Sequence, residues 1–147
     1  MITIRNFEDS DYHSLCELDA PLFSGMGGPI LFRHVQDLFG SLFFVAECNG
    51  KIIGYILGGI HIEDKRIGKL IRIGVGKGYQ RKDCGTKLTA ALFEKMREFG
   101  VESVHLTVAE NNIPALSFYK KIGFMQTDAR ENYFYPDVPR LVLEKKL

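Results

Sequence analysis

The dipeptide Asn49-Gly50 constrains the fold of this chain more than any other short stretch, because it stands between two apolar runs. Asn followed by Gly favours the left-handed backbone that a two-residue hairpin turn requires. The run from Leu42 to Cys48 and the run "KIIGYILGGIHI" are therefore predicted to be paired antiparallel strands. No other short stretch of the 147 residues carries as good a hairpin signal.

The spacing of apolar residues changes along the chain. Alternation in "ITIRNF" and "IGKLIRIGV" predicts two further strands of an antiparallel meander. Between the first strand and the hairpin, helices are predicted in "EDSDYHSLCEL" and from Pro29 to about Gly40. After the meander, apolar residues recur at helical spacing from Thr86 to Phe99, and the valine-rich "VESVHLTVA" predicts another strand.

The last third of the chain completes an α+β pattern. Asn112 is a suitable N-cap for a final helix, and Gly123 closes it. Extended stretches are predicted from about Phe124 to Tyr135 and from Arg140 to Lys146. The length fits one domain that comprises residues 1–147.

The composition excludes several classes of function. The formal charge is +1 at pH 7, so no net field favours a nucleic acid or an acidic membrane. No apolar stretch approaches the roughly 20 residues of a membrane span, and no signal peptide is visible. The three cysteines and four histidines lack the spacing of a metal site. These features predict a cytoplasmic protein with no metal, nucleic-acid or membrane partner.

The stretch "YQRKDCGTKL" lies where an apolar run gives way to the amphipathic helix. A helix start presents unpaired backbone N–H groups and partial positive charge, which favour an anion. Arg81, Lys82 and Lys87 add cations, and Gly85 lets a ligand approach the backbone closely. Two interpretations stay open on this segment alone: a diphosphate cradle, or a solvated basic loop that caps a helix.

Asp83 opposes the cradle in two ways. Its charge repels an anion by about 1 kcal/mol at ~4 Å in water, and by several-fold more without water. Its Cβ is unfavourable where the backbone curls, although aspartate tolerates a left-handed φ better than most residues. The nearby cations outnumber it: Lys77, Arg81, Lys82 and Lys87. An anion is still favoured if the carboxylate points to solvent.

A second segment carries the pattern N-x-x-A-x-x-x-Y-x-x-x-G-F. Its residues are Asn112, Ala115, Tyr119, Gly123 and Phe124. With the basic loop upstream, this segment resembles the GNAT superfamily of N-acetyltransferases, and the likeness extends over nearly the whole chain. The loop corresponds to the family signature Q/R-x-x-G-x-G/A, which Gln80 and Gly85 match. Asp83 replaces the first glycine of that signature, and Thr86 follows Gly85.

The resemblance implies an α+β fold with a mixed, mostly antiparallel sheet, flanked by helices, whose strands 4 and 5 splay apart for the cosubstrate acetyl-CoA. The implied contacts are Ile73, Gly74, Val75, Gln80, Arg81, Lys82, Asp83, Cys84, Gly85, Thr86, Asn112, Ala115, Phe118 and Tyr119. A backbone N–H near Val75 would polarise the thioester carbonyl. Tyr119 would be the catalytic residue, a general acid toward the departing thiolate, since a phenol of pKa about 10 suits a thiol of about 8.5.

The general base is left open. Some relatives that act on peptide α-amino groups use a glutamate on the fifth strand, where this chain has Thr107. His105 shares a face of that strand with Thr107. Other candidates are the carboxylates Glu47, Glu63 and Asp64. A water chain without a dedicated base is a further alternative, and we expect no single carboxylate to be essential.

Two segments are expected to contact the acceptor. A glycine-rich stretch suits a mobile lid, with Phe23, Met26 and Phe32. The last hairpin supplies the other wall, with Tyr133, Phe134, Tyr135 and Asp137. The alternative is that both are surface loops with core-anchoring aromatics. The tail "ENYFY" looks like that of acetyltransferases of ribosomal-protein N termini, although Thr107 weakens this match.

The acceptor predicted first is a small-molecule amine, with a peptide or protein N terminus as the alternative. Two other classes compete with an acetyltransferase. A non-catalytic CoA-binding module is favoured by Asp83 and the missing glutamate but opposed by Tyr119. A nucleotide-binding protein is disfavoured because the chain lacks a Walker loop and a Mg²⁺ carboxylate set. The resemblance also makes a homodimer a candidate assembly, because dimers are common in this fold, but the sequence itself does not indicate one.

Overall fold

Seven strands form one sheet, and four helices cover its two faces; the computed structural model describes residues 1–147. The strands are β1 (Ile2–Asn6), β2 (Phe43–Cys48), β3 (Lys51–Ile60), β4 (Ile67–Val75), β5 (Ser103–Ala109), β6 (Met125–Arg130) and β7 (Arg140–Lys146). The helices are α1 (Tyr12–Leu22), α2 (Gly28–Phe39), α3 (Cys84–Glu98) and α4 (Ile113–Lys121). None of them is long and apolar enough to cross a lipid bilayer.

The hairpin predicted at Asn49-Gly50 is present between β2 and β3. Asn49 (φ 52°) and Gly50 (φ 75°) both adopt the left-handed backbone. Cys48 pairs with Lys51 across them, so the loop has two residues. The prediction is confirmed because the turn depends on the conformational tolerance of these two residues alone.

The two C-terminal helices begin near the predicted residues. α3 begins at Cys84, just before the predicted Thr86, and Gly100 follows it at φ 84°. The side chain of Asn112 caps α4, because its Oδ1 accepts a hydrogen bond from the Ala115 N–H at 3.3 Å. Local capping chemistry therefore fixes where α4 starts.

The strand after α4 is shorter than predicted. β6 ends at Arg130, and residues 131–139 form a loop. Asn132 (φ 52°) and Asp137 (φ 60°) take left-handed backbone within it. The prediction of an extended stretch to Tyr135 is wrong, because these turns take the chain out of the strand conformation.

Buried side chains form one cluster on each face of the sheet. The cluster under α3 and α4 has 18 buried residues, among them Leu88 and Met96. The cluster under α1 and α2 has seven, including Phe32, whose ring lies 5.2 Å from that of Tyr55. The expectation that Phe32 belongs to a lid is wrong, because the buried face of α2 carries it into this second core.

β4 and β5 separate after three paired positions, and this separation creates the site. Residues 67–69 of β4 pair in parallel with residues 103–105 of β5. Beyond them β4 runs to Val75 beside β3 alone, and β5 runs to Ala109 beside β7. All other strand pairs are antiparallel, in the order β1-β2-β3-β4-β5-β7-β6. The predicted α+β architecture with splayed strands 4 and 5 is confirmed.

Candidate active site

A cavity of about 1460 Å³ opens where β4 and β5 diverge. The loop before α3 borders one end, and the α1–α2 connection and loop 131–139 border the other. Most residues predicted to contact the cosubstrate line it: Ile73, Val75, Gln80, Arg81, Asp83, Gly85, Thr86, Asn112, Ala115, Phe118 and Tyr119. The fold therefore brings the two sequence motifs onto one surface.

Three residues of the predicted set do not line this cavity. Gly74 lies on the opposite side of the pleat, where a Cβ would come within 2.6 Å of the Tyr55 ring. Cys84 is buried in the core cluster under α3, and burial raises the pKa of its thiol to about 11. Lys82 is exposed outside the cavity wall. Cys84 is left with backbone groups alone as contacts to a ligand in the cavity, whereas the backbone N–H and carbonyl of Gly74, which pairs with Tyr55, face β3.

The edge of β4 that faces the gap carries unpaired backbone groups. The Gly76 N–H donates to the Ile53 carbonyl at 2.8 Å. Antiparallel alternation therefore turns the backbone N–H of Val75 away from β3 and toward the gap. The Val75 carbonyl accepts a hydrogen bond from Gln80 Nε2 at 3.0 Å, whereas its N–H remains open to a ligand.

The loop before α3 curls through three residues with left-handed backbone: Gly78 (φ 92°), Arg81 (φ 64°) and Asp83 (φ 62°). Asp83 is the N-cap of α3, yet its exposed carboxylate makes no capping hydrogen bond. A curled loop of this kind, followed by a helix start, presents backbone N–H groups toward an anion. The left-handed φ that aspartate tolerates is thus the conformation this position requires.

Packing against α4 explains why residue 85 is a glycine, in addition to any contact that it makes with a ligand. A Cβ at this position would lie 3.1 Å from Cζ of Phe118 on α4. That is closer than an ordinary van der Waals contact between carbon atoms. Glycine therefore allows the start of α3 to approach the aromatic wall of the cavity.

Tyr119 lies on the buried face of α4 and reaches the cavity wall. Its ring contacts those of Phe118 and Phe124, with centroids 5.5 and 5.6 Å away. Burial raises the pKa of its phenol to about 12, while the charge of Arg140 acts in the opposite direction. The expected match with a thiol near 8.5 is therefore not observed, and the phenol stays protonated at any physiological pH.

None of the carboxylates considered as a base lines the cavity. Glu47 pairs with Arg5 at 3.0 Å near the far edge of the sheet. Asp64 pairs with Arg66 at 3.0 Å, and Glu63 lies exposed in the same β3–β4 turn. The only carboxylate on the cavity wall is that of Asp83, at the end away from the acceptor segments.

His105 also lies off the cavity wall. Its Nε2 is 2.6 Å from Nε2 of His61, at the point where β4 and β5 begin to separate. Burial lowers the pKa of His105, and the charges of His61, Lys69 and Arg130 lower it further. The His105 side chain is therefore committed to a neighbouring imidazole rather than to a substrate.

An arginine occupies the neighbourhood in which the sequence suggested a base. The guanidinium of Arg140 on β7 donates to the carbonyl of Thr107 at 2.9 Å and to its Oγ1 at 3.2 Å. It also lies 4.9 Å from the ring centre of Phe134. Sequence reasoning missed Arg140, because the contact depends on β5–β7 pairing and has no local signal.

Arg72 connects β4 to the α1–α2 segment. Its Nη1 lies 3.3 Å from the buried carboxylate of Asp19, which also accepts a hydrogen bond from the Tyr55 hydroxyl. Its Nη2 donates to the Met26 carbonyl at 2.9 Å, and the Phe23 ring lies 4.2 Å from the guanidinium. Phe23 and Met26 therefore line the cavity as predicted, held there by a residue that the sequence did not single out.

Lys69 is the third cation at this end of the cavity. Its Nζ lies 3.4 Å from the Tyr133 hydroxyl and 5.7 Å from the centre of that ring. Of the predicted wall residues on the last hairpin, Phe134 and Tyr135 line the cavity, whereas Tyr133 and Asp137 do not. The only sequence signal for Lys69 was a charge that interrupts an apolar strand. We name this wall the acceptor end: Phe23, Met26, Lys69, Arg72, Phe134 and Arg140.

Comparison with known proteins places this geometry in context. A family model described as "Acetyltransferase (GNAT) family" matches residues 12–124. An N-alpha-acetyltransferase of Sulfurisphaera tokodaii is 32% identical over 112 residues, which cover 69% of this chain and 66% of that protein. The chain thus spans about two thirds of the length of that relative.

Two solved structures share the fold over 99% of this chain. Ard1 from Thermoplasma volcanium has a TM-score of 0.91 at 24% identity, with 97% of that chain covered. Arabidopsis thaliana Naa50, in complex with the bisubstrate analogue CoA-Ac-MVNAL, has a TM-score of 0.84 at 21% identity, with 99% covered. The predicted family and fold are confirmed: the chain belongs to the GNAT family of acetyltransferases.

Proposed function

We propose that the protein transfers the acetyl group of acetyl-CoA to the α-amino group at the N terminus of a peptide or protein. The observation that carries this proposal is the charge of the acceptor end, where Lys69 and Arg140 have no carboxylate partner and Arg72 alone is paired, with the buried Asp19. The relatives support it, since one is named an N-alpha-acetyltransferase and Naa50 binds a CoA–peptide analogue. The small-molecule acceptor expected first from the sequence is not confirmed.

The cations favour an α-amine over other amines. Only a neutral amine attacks a carbonyl, and an α-amino group has a pKa of about 7.7–8.0 against about 10.4 for a lysine-type amine. At pH 7.5 roughly a third of α-amines are neutral, but only about one lysine-type amine in a thousand. Lys69 and Arg140, which form no ion pair with a carboxylate, also repel a polycationic acceptor. A polyamine is therefore a poor acceptor on both counts.

The splayed strands suit acetyl-CoA, which supplies the activated acetyl group. Backbone N–H groups of residues 81–86 would hold its diphosphate, helped by the start of α3. The Asn112 Oδ1 is occupied by the cap of α4, so its Nδ2 is the group left for the pantetheine arm. The Val75 N–H at the open edge of β4 would donate to the thioester carbonyl oxygen.

In this proposal the neutral amine attacks the thioester carbonyl, so that a C–N bond forms and the C–S bond breaks. The nitrogen loses one proton, and the departing sulfur gains one. Tyr119, with a pKa raised to about 12, stabilises the sulfur by donating a hydrogen bond and keeps its own proton. Water carries the proton from the nitrogen to the departing sulfur, since no carboxylate faces the acceptor.

An acceptor panel tests the proposal. The purified protein is incubated with acetyl-CoA and C-terminally amidated peptides, spermidine, glucosamine or free amino acids, and products are read by mass spectrometry. The matched control is the same peptide with its N terminus blocked by a formyl group, so that an internal lysine is its only free amine. We expect acetylation of the free N terminus and none of the formylated peptide. Preferential turnover of the small amines would refute the proposal, and CoA binding without any turnover would favour a non-catalytic module.

A further inference from the structure

We propose that the acceptor end selects peptides with an acidic side chain close to the N terminus, and that Lys69 and Arg140 bind that carboxylate. This inference rests on the proposed function and specifies its substrate class. It makes Lys69 and Arg140 specificity-determining residues.

The two cations lack carboxylate partners. Arg72 is neutralised by the buried Asp19 at 3.3 Å. Lys69 and Arg140 take part in none of the ion pairs of the molecule. The only polar partners that the structure gives them are the Tyr133 hydroxyl for Lys69 and Thr107 for Arg140. Two uncompensated positive charges therefore face one end of the cavity.

Both cations lie against one pair of aromatic rings. Lys69 Nζ is 5.7 Å from the Tyr133 ring centre, and Arg140 Cζ is 4.9 Å from that of Phe134. The two rings are in edge contact, with centroids 4.7 Å apart. A ring keeps water from one side of each cation, which strengthens its attraction for an anion. The Nε and Nη2 groups of the Arg140 guanidinium donate hydrogen bonds to Thr107, so Nη1 is left to bind a carboxylate.

These charges lie too far from the predicted diphosphate site for the phosphates of CoA to neutralise them. Lys69 and Val75 are six residues apart on β4, roughly 20 Å at about 3.3 Å per residue. The diphosphate loop follows Val75 and has cations of its own, including Arg81. The Arg140 guanidinium bonds Thr107, two residues along β5 from the level of Lys69. An anion that meets both Lys69 and Arg140 therefore has to come from the acceptor.

Matched peptide pairs test the inference. Each peptide has a free N terminus, an amidated C terminus, and either Glu or Gln at position one, two or three, with all else unchanged. We expect the Glu peptide to have a kcat/KM about tenfold higher at one of these positions, the effect of one charge-assisted contact. The ratio should fall toward one in about 1 M salt, where the Debye length is about 3 Å.

Lys69→Gln and Arg140→Gln should each reduce the Glu-to-Gln ratio at least several-fold, whatever happens to the absolute rates. Loss of packing alone would slow both peptides equally and leave the ratio unchanged. The control is Lys146→Gln, an exposed cation at the other end of β7, which should keep the wild-type ratio. If Arg140→Gln does not fold, Lys69→Gln and the salt series still decide the matter.

The outcomes separate this inference from the function on which it rests. A ratio near one at every position, on peptides that are acetylated, overturns the inference and leaves the proposed function standing. A Glu preference that persists in both variants overturns the assignment to Lys69 and Arg140. Faster acetylation of free glutamate than of any peptide, or turnover of no peptide, overturns both, because the carboxylate would then not belong to a peptide acceptor.

Discussion

Replacing Asp83 with glycine tests whether the loop before α3 is an anion cradle. Asp83 holds φ at 62°, which glycine adopts without strain and other residues adopt at a cost. Its carboxylate makes no N-cap hydrogen bond. Removing it therefore loses none of the roughly 0.5–2 kcal/mol that a capping side chain contributes.

Two opposing effects determine the stability of Asp83→Gly. Relief of the left-handed backbone contributes roughly 1 kcal/mol, and the extra freedom of glycine in the unfolded chain costs about 0.5–1 kcal/mol. The two nearly cancel, so the Tm should hardly change. The loss of one exposed carboxylate at ~4–8 Å from a phosphate should make the free energy of CoA binding more favourable by about 0.5–1 kcal/mol in water. The Kd for CoA should therefore fall about two- to fivefold.

Calorimetric titration with CoA, combined with thermal unfolding, compares three variants at position 83. Asp83→Asn tolerates a left-handed φ and lacks the charge, so it should match Asp83→Gly in affinity. Asp83→Ala also lacks the charge but is strained at this φ, so it should bind CoA equally well and unfold at a lower Tm. A more than about threefold loss of CoA affinity in Asp83→Gly would refute the reasoning, because the carboxylate would then have a role of its own.

Two further predictions concern protonation. Tyr119→Phe should lower kcat by about 10²-fold, because the departing sulfur loses a preorganised hydrogen-bond donor. The wild-type kcat should stay level through pH 10, since burial raises the Tyr119 pKa to about 12; a wild-type decline centred near 10 would contradict this. Asp11 accepts two hydrogen bonds from Arg5, at 2.8 and 2.9 Å, and these bonds hold the Asp11 pKa below its usual range. The contribution of Asp11 to stability is therefore present above about pH 4 and lost as the pH falls through the lowered pKa. Asp11→Asn should reduce the free energy of unfolding by about 1–3 kcal/mol at pH 7 and flatten the fall in urea midpoint as the pH drops below about 4; an equally steep fall would argue against it.

The features that the sequence predicted well are those that neighbouring residues decide. The β2–β3 hairpin depends on two residues with left-handed tolerance, and the start of α4 depends on one side chain that bonds a nearby N–H. The cosubstrate side of the cavity follows from such local units, because the loop before α3 and the start of α4 are short segments with their own turn and cap chemistry. Eleven of the fourteen predicted contact residues line the cavity for this reason.

The acceptor end escaped prediction because its contacts join distant parts of the chain. Arg140 meets Thr107 only through β5–β7 pairing, and Arg72 meets Asp19 only through the packing of α1 on the sheet. Phe32 shows the same limit, since helical spacing shows that α2 has an apolar face but not whether that face covers the sheet or the cavity. The charge environment and burial of these residues depend on tertiary structure, which local sequence patterns do not predict.

A cation beside Thr107, where the family resemblance suggested a glutamate as base, changes what the site requires of its acceptor. A carboxylate attracts an ammonium and then removes its proton, whereas Lys69 and Arg140 repel the ammonium and receive the amine in its neutral form. One such cation at ~8 Å disfavours an ammonium by about 0.5 kcal/mol in water and about 2 kcal/mol at an effective dielectric constant of 20. The pKa of a bound α-amine is thereby lowered by about 0.4–1.5. An acidic side chain on the acceptor cancels part of this lowering of the amine pKa. Its carboxylate also binds the cations, and this attraction offsets their repulsion of the amine. The acceptor that satisfies both demands has a weakly basic amine and a nearby carboxylate, which a peptide N terminus can provide and a polyamine cannot.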